Sequence, residues 1–340
     1  MKKKILVWIA LSVLIVIWIV TWSWEPESFK VLMSMDKIYF ILILGVVFLE
    51  WGLSGLKVKV FAQWVWESIW LLKSIEVSLI DRFFGNVTPG GVWGQPFKVA
   101  AMRKLGISSG KATGITMMEF FIRVLFFLFC LPYVFYKLRG LYIGYINSFV
   151  FVVWLVSIVF AILIGIYFFL YNPQVIVDVC IKFLNLDFVS KFFDQEKLKS
   201  IQNSIKLEVK VFSDTIWNYL NHGLVFIVLG FFVTVLMWLV RFYIMYLIIY
   251  SFGFQVSYFQ VSLFWIFVYI VAMFVPIPGG GVEITMLGLL KSVLPLSIVW
   301  LVIAGWKLFT YGGYVLVGWL LVLKVFYLQD LPVFNKKSLE

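Results

Sequence analysis

The chain has 340 residues, 63% hydrophobic, 20% aromatic and 13% charged, with a formal net charge of +11. That much apolar surface, falling in runs of about 20 residues, the bilayer-spanning length, excludes a soluble globular protein and indicates a polytopic helical membrane protein. Two cysteines (Cys130 and Cys180) and one histidine (His222) argue against a disulfide framework and against His-rich zinc chemistry, so no metal or cofactor is expected. The basic excess reads as cytoplasmic Lys and Arg rather than as a nucleic-acid surface.

Met1-Lys2-Lys3-Lys4 precedes an apolar run from Ile5 to about Trp22. The following Trp22-Ser23-Trp24-Glu25-Pro26 has no small-residue cleavage site, so the run is predicted to be an uncleaved first span starting in the cytoplasm. Ile38 to about Leu56 is a second span that returns to Lys57 and Lys59 inside. Phe61 to Phe84 is helix-like but carries Gln63, Glu67, Lys73, Glu76, Asp81 and Arg82, a charge density too costly for a lipid-facing span. It is expected at the interface or dipping partly in, ending at Asn86-Val87-Thr88-Pro89-Gly90-Gly91-Val92-Trp93-Gly94-Gln95-Pro96. The short stretch Phe97 to Leu105 completes a re-entrant hairpin entering from inside.

Ala112 to about Tyr136 is a further span, holding Glu119, Arg123 and a kink at Pro132, with Lys137 and Arg139 in an outer loop. Ile146 to Tyr171 returns inside. The polar segment 172–222 has helical periodicity at Ile201, Ile205, Val209, Phe212 and Ile216, which predicts surface helices ending near an interfacial His222. Gly223 to Tyr250 spans and holds Arg241. Val256 to Val275 then runs into a second break, Pro276-Ile277-Pro278-Gly279-Gly280-Gly281-Val282-Glu283, and Ile284 to Leu294 leads away from it. Ile298 to about Phe326 is the last span, with Lys307 inside it and a cytoplasmic Lys336-Lys337 tail.

The expected architecture is therefore all-α, with about six spanning helices and two oppositely oriented re-entrant hairpins in an inverted repeat. Its parts are an N-terminal span and outer loop (1–37), a first half (38–171), cytoplasmic linker helices (172–222), a second half (223–327) and a cytoplasmic tail (328–340). Most of the 28 Lys and Arg then face the cytoplasm, as the positive-inside rule requires. Non-helical backbone at membrane depth survives only where protein or a wet cavity satisfies it. Two such breaks, one per half, are a pointer to a transporter site.

The candidate site residues are the costly ones. Arg123, Arg241 and Lys307 are the cations placed within spans, where each needs a partner or a cavity. Gly90, Gly91, Gly279 and Gly280 read either as letting backbone amides approach an anion, with helix starts just beyond adding positive dipole ends, or as permitting close helix packing alone. Asn86, Thr88 and Gln95 offer hydrogen bonds to a glycerol or sugar. Glu119 and Arg123, four residues apart on one face, read either as site residues or as a mutually neutralising pair. Glu50 reads as the partner of one of the cations or as a proton carrier. Glu283 reads as an anion at a helix start or as a ligand for an amino-bearing headgroup, and Arg241 and Lys307 either bind a headgroup or snorkel to an interface.

As a pair, the loops Asn86, Thr88-Pro89-Gly90-Gly91, Gly94-Gln95-Pro96 and Pro276-x-Pro278-Gly279-Gly280-Gly281-x-Glu283 resemble the lysylphosphatidylglycerol synthase transmembrane-region family. This is the flippase-like domain of bacterial multiple-peptide-resistance factors, also found alone in bacteria and archaea. Gln95-Pro96-Phe97-Lys98 and Lys104-Leu105-Gly106-Ile107 support the likeness, which covers Ile5 to Phe326; Val92-Trp93 departs from the small residues expected there. The resemblance implies a non-enzymatic lipid flippase or scramblase in a prokaryotic cytoplasmic membrane, with both termini cytoplasmic. The lipid would be an anionic or aminoacylated phospholipid, or a polyprenyl phosphate. With no soluble domain after Phe326, lysyl-lipid synthesis is not expected. A homodimer and a separately encoded lipid-synthesising enzyme stay open as protein partners. The alternative functions are a membrane-embedded partner of a lipid-modifying enzyme, and a lipid-phosphate enzyme.

Overall fold

The computed structural model describes residues 35–65, 67–88, 93–142, 195–274 and 281–328, with Met33 and isolated positions between 153 and 185. Every regular element among them is helical. Helix α1 is Lys37–Trp64, α2 Leu71–Val87, α3 Gly94–Lys104, α4 Ser109–Tyr142 and α5 Gln195–His222. Then come α6 Leu224–Ser251, α7 Tyr258–Phe274, α8 Gly281–Leu290, α9 Leu296–Trp306 and α10 Gly313–Val322. The last two are joined by π-helical turns over Lys307–Gly312, and a second π stretch covers Leu323–Leu328.

Four stretches are long and apolar enough to cross a membrane: Lys37–Trp64, Ser109–Val134, Leu224–Ser251 and Leu296–Phe326. A helix of 28 residues, such as α1 or α6, is about 42 Å long, more than the roughly 30 Å hydrocarbon core. Ile38, Ile41, Phe48 and Leu49 of α1 stay exposed, as side chains facing acyl chains do. The expected first span and Ile146 to Tyr171 lie outside the described residues, apart from scattered positions in the latter.

Three boundaries differ from the sequence reading. Helix α1 does not stop before Lys57 but continues to Trp64, because Lys57 is buried against a carboxylate instead of facing water. The helix expected from Phe61 to Phe84 is accordingly two pieces, and only Leu71–Val87 leads to the first Pro-Gly-Gly segment. Lys137 and Arg139 belong to α4, which runs through Pro132 to Tyr142, rather than to a loop.

The two halves repeat one plan. The same 187 positions separate Lys37 from Leu224, Leu71 from Tyr258, Gly94 from Gly281 and Ser109 from Leu296, the starts of α1 and α6, α2 and α7, α3 and α8, α4 and α9. Contacts fix their relative direction. Tyr39 meets Tyr250, Glu50 meets Arg241, Ser54 meets Met237, and the Phe61 ring lies over Gly230, so α1 and α6 are antiparallel along their length. In the first half α2 runs antiparallel to α10 and its flanking π-helical turns, through Glu76 to Lys324, Phe83 to Gly318 and Asn86 to Tyr311. In the second half α7 packs on α4 in the same sense, through Phe259 to Tyr133 and Tyr269 to Phe127. The described halves are thus related by an approximate two-fold axis crossing α1 and α6 near their middles.

Small residues make these close crossings physically open, as is usual where helices pack without a hydrophobic drive. A Cβ at Gly55 would collide with Ile75 backbone, at Gly230 with the Phe61 ring, and at Gly318 with Leu79 O at 3.0 Å. Helix α5 lies across the start of α4: Gly110 N donates to Glu208 at 2.5 Å, and the buried Tyr219 hydroxyl donates to Phe61 O.

Candidate functional site

Polar residues at helical spacing on four helices converge on one cavity. Helix α1 contributes Ser54 and Lys57, α2 Ser78, Asp81 and Arg82, α3 Gln95 and Lys98, and α4 Glu119, Phe120 and Arg123. At its base Glu119 is held between two ammoniums, Lys98 Nζ at 2.8 Å and Lys57 Nζ at 3.1 Å, and all three residues are buried. Lys98 also lies 3.8 Å from Asp81, whose other oxygen accepts from Gln95 Nε2 at 3.2 Å. The Arg123 guanidinium sits 5.3 Å from the Phe120 ring, and its buried Nε has no hydrogen-bond partner.

Four cations and two carboxylates line a space of about 20 Å³, giving a surplus of two positive charges. Buried charge is tolerable only when paired and hydrogen-bonded. The internal pairs satisfy both carboxylates and leave donors over, which suits the space to an anion.

Beside this cavity, and near the middle of α1, lies a second polar group. Arg241 Nη2 donates to Glu50 Oε1 at 2.6 Å and to the Tyr314 hydroxyl at 3.0 Å. The Tyr314 hydroxyl in turn donates to the other Glu50 oxygen, so the fully buried carboxylate is closed on both sides. Arg82 joins this triad to the cavity: it is 4.0 Å from Glu50 and its guanidinium lies 5.9 Å from the Tyr314 ring. The repeat carries Glu50 onto Met237 and Ser54 onto Arg241. Those two related residues also touch, Ser54 Oγ donating to Met237 Sδ at 3.3 Å.

In the second half Lys307, first residue of the π-helical turns, lies 3.4 Å from Glu283 in the first turn of α8. Next to it Trp306 packs on Trp265 with ring centroids 4.9 Å apart. Trp265 packs on Tyr269 at 5.2 Å, Tyr269 on Trp238 at 4.6 Å, and Arg241 covers the Trp238 ring at 5.0 Å.

Of the residues expected at a site, Gln95, Glu119 and Arg123 share the cavity, Glu50 and Arg241 form the adjoining triad, and Glu283 pairs with Lys307. The ion pairs of Glu119 are with Lys57 and Lys98, which the extension of α1 and the hairpin α2–α3 bring to it. Lys98, in the short stretch expected to complete the first hairpin, is buried. Asn86 and Thr88 do not line the cavity. Asn86 offers its backbone oxygen to Tyr311, and Thr88 Oγ1 donates to Phe84 O within its own helix end. Trp93 is exposed at the start of α3, outside the cavity. Gly90, Gly91, Gly279 and Gly280 lie outside the described residues.

Sequence reasoning missed Lys57, Asp81, Arg82, Lys98 and Tyr314 as site residues. The available signal was spacing: Glu50, Ser54 and Lys57 fall on one face of α1, Ser78 with Asp81 and Arg82 on one face of α2, and Gln95 with Lys98 on one face of α3. Polar stripes of that kind inside apolar helices face the bundle interior rather than lipid.

An all-helical bundle with four stretches apolar enough to cross a membrane, and a charged cavity buried among its helices, defines a polytopic membrane protein. The chain belongs to the family described as the lysylphosphatidylglycerol synthase TM region, whose model matches residues 6–318. It is also similar to a UPF0104 membrane protein of Archaeoglobus fulgidus, with 23% identity over 276 residues that cover 79% of this chain and 80% of the relative. No solved structure matches.

Proposed function

We propose that this protein is a lipid flippase or scramblase of a prokaryotic cytoplasmic membrane, with both termini cytoplasmic, and that the cavity holds the phosphate of an anionic lipid headgroup. The observation that carries the reading is the surplus of two cations around a buried space at the α1–α4 junction. A phosphate crossing a bilayer needs cations or aimed donors, while its acyl chains lose nothing by staying in hydrocarbon. Arg123, with a buried and unpartnered Nε, is the residue best poised to take a phosphate oxygen. Membership of a lipid-related membrane family supports the same reading. An aminoacylated headgroup adds positive charge to a site already in surplus, so the plain anionic lipid is the substrate favoured here. In this reading α2–α3 and α7–α8 are re-entrant hairpins entering from opposite faces, each turning at a Pro-Gly-Gly segment.

The test is reconstitution of purified protein into vesicles containing a trace of fluorescent anionic phospholipid, with leaflet exchange followed by chemical quenching. The wild-type protein is expected to accelerate exchange. Arg123→Ala is expected to lower the rate about tenfold or more, the cost of losing a hydrogen bond to a charged partner. Vesicles with wild-type protein that exchange no faster than protein-free vesicles overturn the flippase reading. A normal rate in Arg123→Ala overturns the assignment of this cavity to the headgroup.

A further inference from the structure

The charge of the cavity has a magnitude as well as a sign. Lys57, Arg82, Lys98 and Arg123 stand against Asp81 and Glu119, and the neighbouring Glu50–Arg241 pair is neutral in itself. The surplus is therefore two, and among buried helices it stays uncompensated until a ligand brings two negative charges. A phosphodiester headgroup brings one. A phosphomonoester, with a second pKa of about 6, carries about −1.5 to −2 at pH 7.

Room and hydrogen bonding point the same way. The space of about 20 Å³ is little more than one water molecule needs. The terminal oxygens of a phosphate can enter it, whereas a diester must also seat the second alcohol beyond its phosphorus. No group stands ready for that alcohol. Each uncharged polar side chain lining the cavity already donates within the protein: Ser54 to Met237 Sδ at 3.3 Å, Ser78 to Ser54 O at 3.1 Å, and Gln95 to Asp81 at 3.2 Å. Asn86 and Thr88, the other groups suited to a glycerol, lie outside it. The donors left over are ionic, Arg123 Nε among them, and such donors recognise phosphate oxygens.

We infer that the lipid this cavity takes is a phosphomonoester, a tail ending in a phosphate that carries no further alcohol, bound as its dianion. Phosphatidic acid and a polyprenyl phosphate share that chemistry. This rests on the headgroup reading of the cavity and narrows its substrate. The bound dianion faces Lys57 from α1, Asp81 and Arg82 from α2, Lys98 from α3, and Glu119 and Arg123 from α4. The Glu50–Arg241–Tyr314 triad stands behind Arg82. The site is then neutral as a whole. A phosphodiester in the same place leaves one buried cation without an anion, and protonation of the monoester below about pH 6 does the same.

The experiment compares three lipids, each labelled on its tail, in the vesicle assay: phosphatidic acid, a polyprenyl phosphate, and phosphatidylglycerol as the diester. After subtraction of protein-free exchange, at least one monoester is expected to exchange about tenfold faster than the diester at neutral pH, the effect of one further charged hydrogen bond. Whichever monoester is faster identifies the tail. The advantage should fade below about pH 6, with the diester reporting any titration of the protein itself. Arg82→Gln lowers the surplus to one and should bring the ratio of monoester to diester rates toward unity, a ratio that a general loss of folded protein leaves unchanged. Equal rates for monoester and diester, a faster diester, or an unchanged ratio in Arg82→Gln overturns the inference and leaves the flippase reading standing. A second measurement needs no transport. Glycerol phosphate, a monoester, is expected to raise the unfolding temperature of the wild type in detergent more than an equal concentration of glycerophosphoglycerol, a diester. Equal shifts overturn the inference. Selective stabilisation without wild-type exchange of any lipid sinks the flippase reading alone.

Discussion

Glu119 serves two ammoniums with one carboxylate, and that sharing makes its removal different from the removal of either partner. Glu119→Gln leaves Lys57 and Lys98 buried within reach of each other with no anion between them. Breaking a buried pair in this way costs about 3–5 kcal/mol. Lys57→Met leaves the 2.8 Å Lys98–Glu119 pair in place and is expected to cost less. Thermal unfolding in detergent checks the order, and a larger loss in Lys57→Met would contradict it. Soluble glycerol phosphate should raise the unfolding temperature of the wild type, since a ligand that binds only the folded state stabilises it. The same addition should do little for Arg123→Ala. At this scale the sequence exposes charges that interrupt apolar runs, which is why Glu50, Arg123, Arg241 and Lys307 stand out. It hides Lys57 and Lys98, because a lysine near the end of a hydrophobic stretch looks the same whether it flanks the membrane or is folded back by a hairpin. Tyr314 is hidden for another reason: with 16 tyrosines in the chain, nothing local marks the one that closes a buried carboxylate.

Helix α3 can lie against α2 because Gly94 has no side chain. A Cβ there would stand 2.7 Å from Asp81 Oδ1, 2.8 Å from Asp81 O and 3.3 Å from Gly85 Cα, so backbone must shift to admit it. The same shift pulls Asp81 from Gln95 and Lys98. Gly94→Ala is therefore expected to destabilise by about 1–3 kcal/mol and to slow lipid exchange. Gly288→Ala, where a Cβ meets nothing within 4 Å, is expected to leave both unchanged; equal effects would refute the packing argument. The helix breaks themselves are legible, since Pro and Gly end helices by missing donors and backbone freedom. The length of α1 is not, because Lys57 and Lys59 mimic a terminus until their tertiary partners are known. Nor are the π-helical turns at Lys307, which leave no mark in residue pattern although such turns often sit at functional sites.

Among the described residues, α1–α4 and α6–α10 are two copies of one plan, set antiparallel by the α1–α6 crossing. In the proposed layout α3 ends on the cytoplasmic face and α7 begins on the outer face. Arg103→Cys should then be labelled by an impermeant reagent only from inside, and Ser257→Cys only from outside; both positions are exposed. Labelling of the two from one face would rule the layout out. The repeat is legible in sequence as long run, Pro-Gly-Gly break, long run, occurring twice. What the sequence conceals is its inequality: only the helix starts fix the 187-residue register that sets Asp81, Arg82 and Lys98 against the uncharged Val268, Tyr269 and Thr285.

That inequality reaches the crossing itself. The axis exchanges the Glu50–Arg241 contact with Met237–Ser54, an ion pair with a thioether and a hydroxyl. An isologous dimer of identical subunits has no such freedom: what one side of its axis carries, the other must carry too, here two carboxylates and two guanidiniums crowded into one dry crossing. Joining both halves in a single polypeptide lifts that constraint. The molecule keeps the geometry of a symmetric dimer while placing one ion pair, not two, at its centre.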